Sequence, residues 1–346
     1  MYGPPELLRA GLDAVHGSGI KGLRARFAII KAADIVEVRS REEILATLDA
    51  HGRLDGLPFM PEMFEFCGRR FRVYRRAEKT CDTIMECRSR RMRDTVHLEG
   101  VRCDGDAHGG CEAGCLIFWK EAWLRPVGQA CQRPIDAPPT LCTEEAVARA
   151  TRATSSPDGT ERFACQATDL LQATSALQWW DVRQYARELR CGNVAAPRMG
   201  AVLVRAAVRA LRRRVPGVPL GSIRRSSKER TPKGRTPIVR LDLRPGELVQ
   251  VKSREEIALT LDTQGRNRGL FFDVEMLPYC GRTFRVLRRV QRIIDERTGR
   301  MLHLPNDCIV LDGVVCSGEQ SRRRLFCPRS IVPYWREIWL RRVALP

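Results

Sequence analysis

The run Cys67-Gly68-Arg69-Arg70-Phe71-Arg72-Val73 returns 213 positions later as Cys280-Gly281-Arg282-Thr283-Phe284-Arg285-Val286. Outward from it, the match holds without a gap from Val36/Val249 to Lys79/Arg292, and 25 of those 44 positions are identical. Ser40/Ser253, Glu42/Glu255, Glu43/Glu256, Asp49/Asp262, Gly56/Gly269 and Met63/Met276 are examples. The intervening loops differ. Similarity resumes at Leu98-Glu99-Gly100-Val101-Arg102-Cys103 against Leu311-Asp312-Gly313-Val314-Val315-Cys316. Both copies close on a Trp-x-Glu-x-Trp-Leu-Arg run, Trp119–Arg125 and Trp335–Arg341. The chain is therefore a tandem duplication, residues 36–125 and 249–341, of one domain of about 90 residues.

The repeated unit reads as mainly β. Val36-Glu37-Val38, Leu248–Val251, Phe71-x-Val73 and Phe284-x-Val286 alternate like short strands, and 98–102 and 119–124 add two more. Ser40-x-x-Glu43 and Ser253-x-x-Glu256 are capping boxes, each opening a short helix expected to end at Gly52 or Gly265. A few short strands and one helical turn suit a small closed barrel. Pro245-Gly246-Glu247 at a strand entry resembles the opening of SH3-like and KOW-type barrels. The fold expected is α+β, mainly β: two tandem SH3-like β-barrels joined by a helical segment.

Five regions follow. Residues 1–33 form an N-terminal segment of partly helical pattern, and 34–127 the first repeat. The prolines at 126, 134, 138 and 139 open a linker and helical middle domain over 128–215, with helices expected from Thr143, over Asp169–Arg190 and over Met199–Val215. Residues 216–242 are a basic linker, and 243–346 the second repeat.

Composition narrows the function classes. No apolar run is long enough to span a bilayer. The opening Met1–Glu6 lacks a basic region followed by an apolar stretch, so a cytoplasmic location is expected. In a reducing compartment, fourteen cysteines call for metal, reactive thiols or burial rather than disulfides. Three cysteine positions recur: Cys67/Cys280, Cys103/Cys316 and, across a three-residue insertion, Cys111/Cys327. Cys115 and Cys308 supply a fourth sulfur in each copy, with His108 or His303 as substitutes. Two all-thiolate quartets suit zinc, which thiolates bind strongly. The competing reading is small buried hydrophobes inherited from the ancestral unit.

The loop Cys103-Asp104-Gly105-Asp106-Ala107-His108 resembles the CDGSH motif of small iron–sulfur proteins, which makes such a cluster the alternative cofactor. It departs from that motif because His108 lies five residues after Cys103 rather than four, and the companion Cys-x-Cys is missing.

For catalysis the sequence offers one candidate nucleophile, Cys165, at the start of a predicted helix, with His97 or His108 as conceivable partners. It holds no P-loop, no dinucleotide fingerprint, no His-Glu-x-x-His and no Gly-x-Ser-x-Gly. Glu121 and Glu337, each midway between two tryptophans, are expected to pair with arginine.

The net charge is +19, and 198–240 carries thirteen Lys or Arg against one acid, Glu229. Arg205, Arg209, Arg212, Arg213 and Arg214 mark a basic amphipathic helix. Arg72, Arg75 and Arg76 on the first repeat are mirrored by Arg285, Arg288 and Arg289 on the second. Arg binds phosphate through a planar fork, so a polyanion partner is expected, nucleic acid first. An anionic membrane surface reached through helix 199–215 is the second reading. The reading of the whole is a non-enzymatic scaffold with zinc and a polyanion surface. An enzyme, or an accessory subunit of one, using a pocket between the barrels and the middle helices is the alternative.

Overall fold

The computed structural model describes residues 29–85, 88–128, 142–153, 160–212, 236–321 and 324–343. Most of the expected N-terminal segment, most of the basic linker, and Arg213 and Arg214 lie outside them. The chain is mostly β with some helices, and its two main sheets each curl into a half-barrel.

The first sheet is antiparallel, in the order Leu116–Lys120, Thr95–Arg102, Arg70–Arg76, Ile35–Val38, Leu124–Pro126. The second runs Met301–Leu311, Thr283–Ile294, Leu248–Val251, Leu340–Arg342. The registers repeat: Val36 pairs with Phe71 and Val249 with Phe284. The strand Leu116–Lys120 has only an isolated bridge, Ile309 to Trp335, as its counterpart.

Both capping boxes form, with Ser40 and Ser253 accepting from the Glu43 and Glu256 backbones. The helices are shorter than the sequence suggests, Arg41–Leu45 and Arg254–Ala258. The Asp49 and Asp262 carboxylates explain this. Asp49 accepts from the backbones of His51 and Arg53, and Asp262 from Gln264 and Arg266, which turns the chain before Gly52 and Gly265.

The repeated tryptophans build the cores. Trp119, Trp123, Trp335 and Trp339 are fully buried. Phe59 meets Trp123 edge-on at 5.2 Å, and Phe272 meets Trp339 at 5.1 Å. The tryptophans of a pair do not share one strand, because the second of each closes a 3-10 turn, Glu121–Trp123 or Glu337–Trp339. The midway glutamates pair with arginine as expected: Glu121 with Arg76, and Glu337 with Arg289 at 2.8 Å.

In the middle segment Thr143 caps the helix Glu144–Ala150. The long helix expected over Asp169–Arg190 is confined to Arg183–Arg190. Ser175–Ala176 instead adds a strand to the hairpin of Lys79–Cys81 and Ser89–Arg91, and that long-range pairing outweighs helical propensity. Gly192, at φ 71°, stops the helix, and Ala196–Arg212 follows.

Candidate metal centre

The strand Thr95–Arg102 delivers Cys103 into a loop that only glycine permits. Gly105, Gly109, Gly110 and Gly114 all have positive φ. A Cβ on Gly105 would sit 2.0 Å from the Cys111 carbonyl oxygen, and one on Gly109 2.5 Å from the Phe163 ring. The tight fold turns His108 inward at the end of a short 3-10 turn, Asp106–His108. Opposite it, the turn Pro61–Phe66 carries Glu62.

These three side chains converge. Cys103 Sγ donates to Glu62 Oε1 at 3.1 Å, and His108 Nδ1 stands 3.4 Å from the same oxygen. The ligand atoms of Glu62, Cys103 and His108 all lie within 4.8 Å of one another. The His108 side chain is 1% exposed and that of Glu62 5%. Neither imidazole nitrogen, nor Glu62 Oε2, has a hydrogen-bond partner among the described residues. Leaving three buried polar atoms unsatisfied is costly, about 1–3 kcal/mol each.

Burial works to raise the Glu62 carboxyl, but the facing His108 and Cys103 outweigh it and hold it below its ordinary value. Burial first, then the Glu62 charge, pushes the Cys103 thiol far up. Cys115 and Cys165 are within electrostatic range of Cys103, and burial pushes them up to about 12 and about 11. Cys103, His108, Cys111, Cys115 and Cys165 line one cavity of about 40 Å³. That is room for an ion or a few waters and too little for an organic substrate. As thiols, Cys103 and Cys165 are protonated and poorly nucleophilic, which counts against covalent catalysis. His97 is fully buried, bonds the Ile117 carbonyl at 2.8 Å and is absent from this cavity.

The other predicted ligands are placed elsewhere. Cys67 lies by Arg41, Glu144 and Glu42, and Cys280 by Glu255 and Arg254, each beside its repeat's capping-box helix. Cys308 lies against Arg336, which donates to its sulfur at 3.4 Å, and His303 is exposed. Cys316 and Cys327 are near each other, with Cys81 as their third neighbour. The quartets drawn from each repeat alone therefore do not assemble. A mixed Glu–Cys–His group does, bordered by thiols from the loop and from the middle segment. Sequence reasoning missed Glu62. Its signal was available, since Glu62/Glu275 is one of the identical pairs.

The predicted polyanion residues divide. Arg72 and Arg285 are exposed, and Arg75 is half-buried over the Tyr74 ring. Arg76 is buried on Glu78 and Glu121, and Arg289 is engaged by Asp307 and Glu337, so neither offers free charge. Arg288 donates to the Glu112 carbonyl, and Arg209 to Gln320 at 2.6 Å. Arg205 stands 3.6 Å from Glu319, and Arg212 ends its helix. No helix among the described residues is long and apolar enough to cross a membrane. Compared with protein families, curated proteins and solved structures, the chain matches none of them.

Proposed function

We propose that this chain is a two-repeat binding scaffold, each repeat an SH3-like barrel, whose first repeat holds one structural zinc ion. Cys103, His108 and Glu62 are three of its ligands, and Cys115 or Cys165 supplies the fourth. The observation that carries this reading is the buried imidazole, unpartnered at Nε2 and beside a Glu62 oxygen at Nδ1, facing an unsatisfied carboxylate oxygen and a thiol. A divalent cation would take one imidazole nitrogen, a carboxylate oxygen and the thiolate sulfur as ligands. Zinc accepts sulfur, nitrogen and oxygen ligands in one tetrahedral site and ionises a coordinated thiol. The ion would join the glycine loop, the turn carrying Glu62 and a flanking thiol, and so contribute to folding directly. Because Cys103, Cys111, Cys115 and Cys165 share the cavity, an iron–sulfur cluster is the competing occupant, and visible absorption separates a coloured cluster from colourless zinc.

The scaffold would engage a polyanion, nucleic acid first, through exposed arginines such as Arg72 and Arg285 and the basic stretch beyond helix Ala196–Arg212. One observation favours an anionic membrane as the second partner: Val204, Val208 and Leu211 form an exposed apolar stripe on that helix, at 64%, 42% and 65% exposure. Elemental analysis after zinc loading and desalting tests the metal. One zinc per chain, lost in Cys103→Ala and His108→Ala, supports the reading; zinc retained in both variants overturns it. Binding to mixed-sequence DNA and RNA, and to anionic vesicles, at two salt concentrations tests the surface.

A further inference from the structure

The loop 112–114 of the first repeat draws in one guanidinium from each repeat. Arg102 Nη1 donates to the Gly114 carbonyl at 2.8 Å, and its Nη2 to the Ser330 carbonyl at 3.2 Å. Arg288 Nη1 donates to the Glu112 carbonyl. Its Nη2 lies so near Gly114 that a Cβ there would stand 2.6 Å from it. Two like charges therefore converge on one glycine. Among the described residues both donate to backbone carbonyls, and neither forms an ion pair. Carbonyls satisfy the N–H groups but do not cancel the charge, so a half-buried pair of this kind is held at a cost. Burial, with the Arg288 charge adding to it, holds Arg102 below its ordinary value.

Both side chains line a cleft of about 580 Å³ between the repeats. That volume lies in the range of small-molecule sites. The second repeat gives the cleft an apolar lining, with Leu287 exposed and Val314, Val315 and Val332 beside it. Val315 is the counterpart of Arg102, so one duplicated position supplies charge in the first copy and apolar surface in the second. Three carboxylates also line the cleft, and none pairs with Arg102 or Arg288 among the described residues. Glu112 Oε2 accepts from the backbones of Gln291 at 2.6 Å and Arg292 at 3.1 Å. Asp104 accepts from the Asp106 backbone at 3.0 Å, and both Asp104 and Asp312 are exposed.

We propose that this cleft binds a small phosphate monoester, its dianion bridging Arg102 and Arg288 and its organic part lying against Leu287 and the valines. The site goes beyond the zinc and polyanion readings and requires neither. Two guanidiniums match the two charges of a phosphate monoester, and the planar fork fits its oxygens. The bonds to carbonyls leave N–H donors on both forks for those oxygens. A ligand that neutralises the pair would also tie the first repeat to the second, since it would touch one arginine of each.

Titration calorimetry of the native full chain with phenyl phosphate and with inorganic phosphate tests this. Phenyl phosphate should bind once per chain, and inorganic phosphate about tenfold more weakly for want of the apolar part. Arg102→Gln and Arg288→Gln should each weaken phenyl phosphate by about tenfold or more, with zinc content unchanged. Arg72→Gln, outside the cleft, should leave its affinity as it was. A DNA oligonucleotide with a 5′-hydroxyl end should not displace it. No binding of phenyl phosphate to the native chain overturns the proposal, and the zinc and nucleic-acid assays still decide their own readings. Equal affinity for the two phosphates also overturns it, because the cleft would then read charge alone. Displacement by the oligonucleotide overturns it too, by giving the two arginines to a polymer. The native titrations decide even if a variant fails to fold.

Discussion

Glu62 and Glu275 occupy the same position in two copies of one sequence, and they do different things. Glu275 accepts from Ser317 Oγ and from the backbones of Glu319, Gln320 and Ser321, so both its oxygens are satisfied by the loop that follows Cys316. The loop that follows Cys103 sends no backbone donor to Glu62. It brings His108 instead, whose Nδ1 stands 3.4 Å from a Glu62 oxygen while Nε2 has no partner among the described residues. A shared buried carboxylate is thus a loop anchor in the second repeat and faces a thiol and an imidazole in the first. The difference lies in what each loop offers the carboxylate. Ser317–Ser321 supplies a ring of N–H groups, while Gly105, Gly109 and Gly110 let the first loop fold tightly enough to present a side chain.

The largest break in this comparison should come from the proposed zinc ligands. His108→Ala should remove zinc binding and with it the stabilisation that binding confers on the first repeat, about 4 kcal/mol at a thousandfold excess of metal over Kd. Thermal unfolding with and without zinc reads it, and the equivalent Ser321→Ala should leave the zinc response intact.

Acid sensitivity should also divide the copies. His97 is fully buried, and burial depresses it to about 3 from 6.5, whereas the aligned residue of the second repeat is Val310. The unfolded chain takes up a proton below pH 6.5 that the folded chain refuses until about 3. His97 therefore favours the folded state fully above 6.5, and that contribution fades as pH falls through the window, by on the order of several kcal/mol. His97→Val should flatten the loss of stability between those pH values, measured by denaturant titration, even though it leaves the Ile117 carbonyl without its partner.

Glu275→Gln should cost about 1–3 kcal/mol, since an amide turns its NH₂ toward backbone donors that the carboxylate oxygen accepted. Glu62→Gln should cost less in metal-free protein and should weaken zinc binding. Urea midpoints and zinc titrations of the two variants separate an anchor from a ligand. The capping boxes, equal in both copies, should behave alike: Ser40→Ala and Ser253→Ala should each lose about 1 kcal/mol. The smallest effect is expected at the surface. Arg72→Ala and Arg285→Ala should each lower the salt slope of nucleic-acid binding by about one while leaving stability unchanged.

Features that rest on local rules were legible in the sequence. The duplication, both capping boxes and the pairing of Glu121 and Glu337 with arginine follow from spacing and from the cost of burying charge. The candidate site was legible only in part. Cys103 and His108 share a short loop, so their meeting is a local event that a glycine-rich segment suggests. Glu62 and Cys165 reach the site from distant segments, and only tertiary packing decides that they meet. Cys67 and Cys280 misled because recurrence between copies records inheritance, and their shared place beside a capping-box helix explains it without a metal. Arg76 and Arg289 misled in the same way. Their recurrence reflects ion pairs to the glutamate between the tryptophans rather than a repeated surface.

The most direct test is the zinc content of the purified full chain beside His108→Ala and Cys103→Ala, after equal exposure to zinc and removal of loosely held metal. The account predicts one zinc per chain in the native protein and none in either variant. A native protein that retains no metal, or variants that keep as much as the native chain, would contradict it.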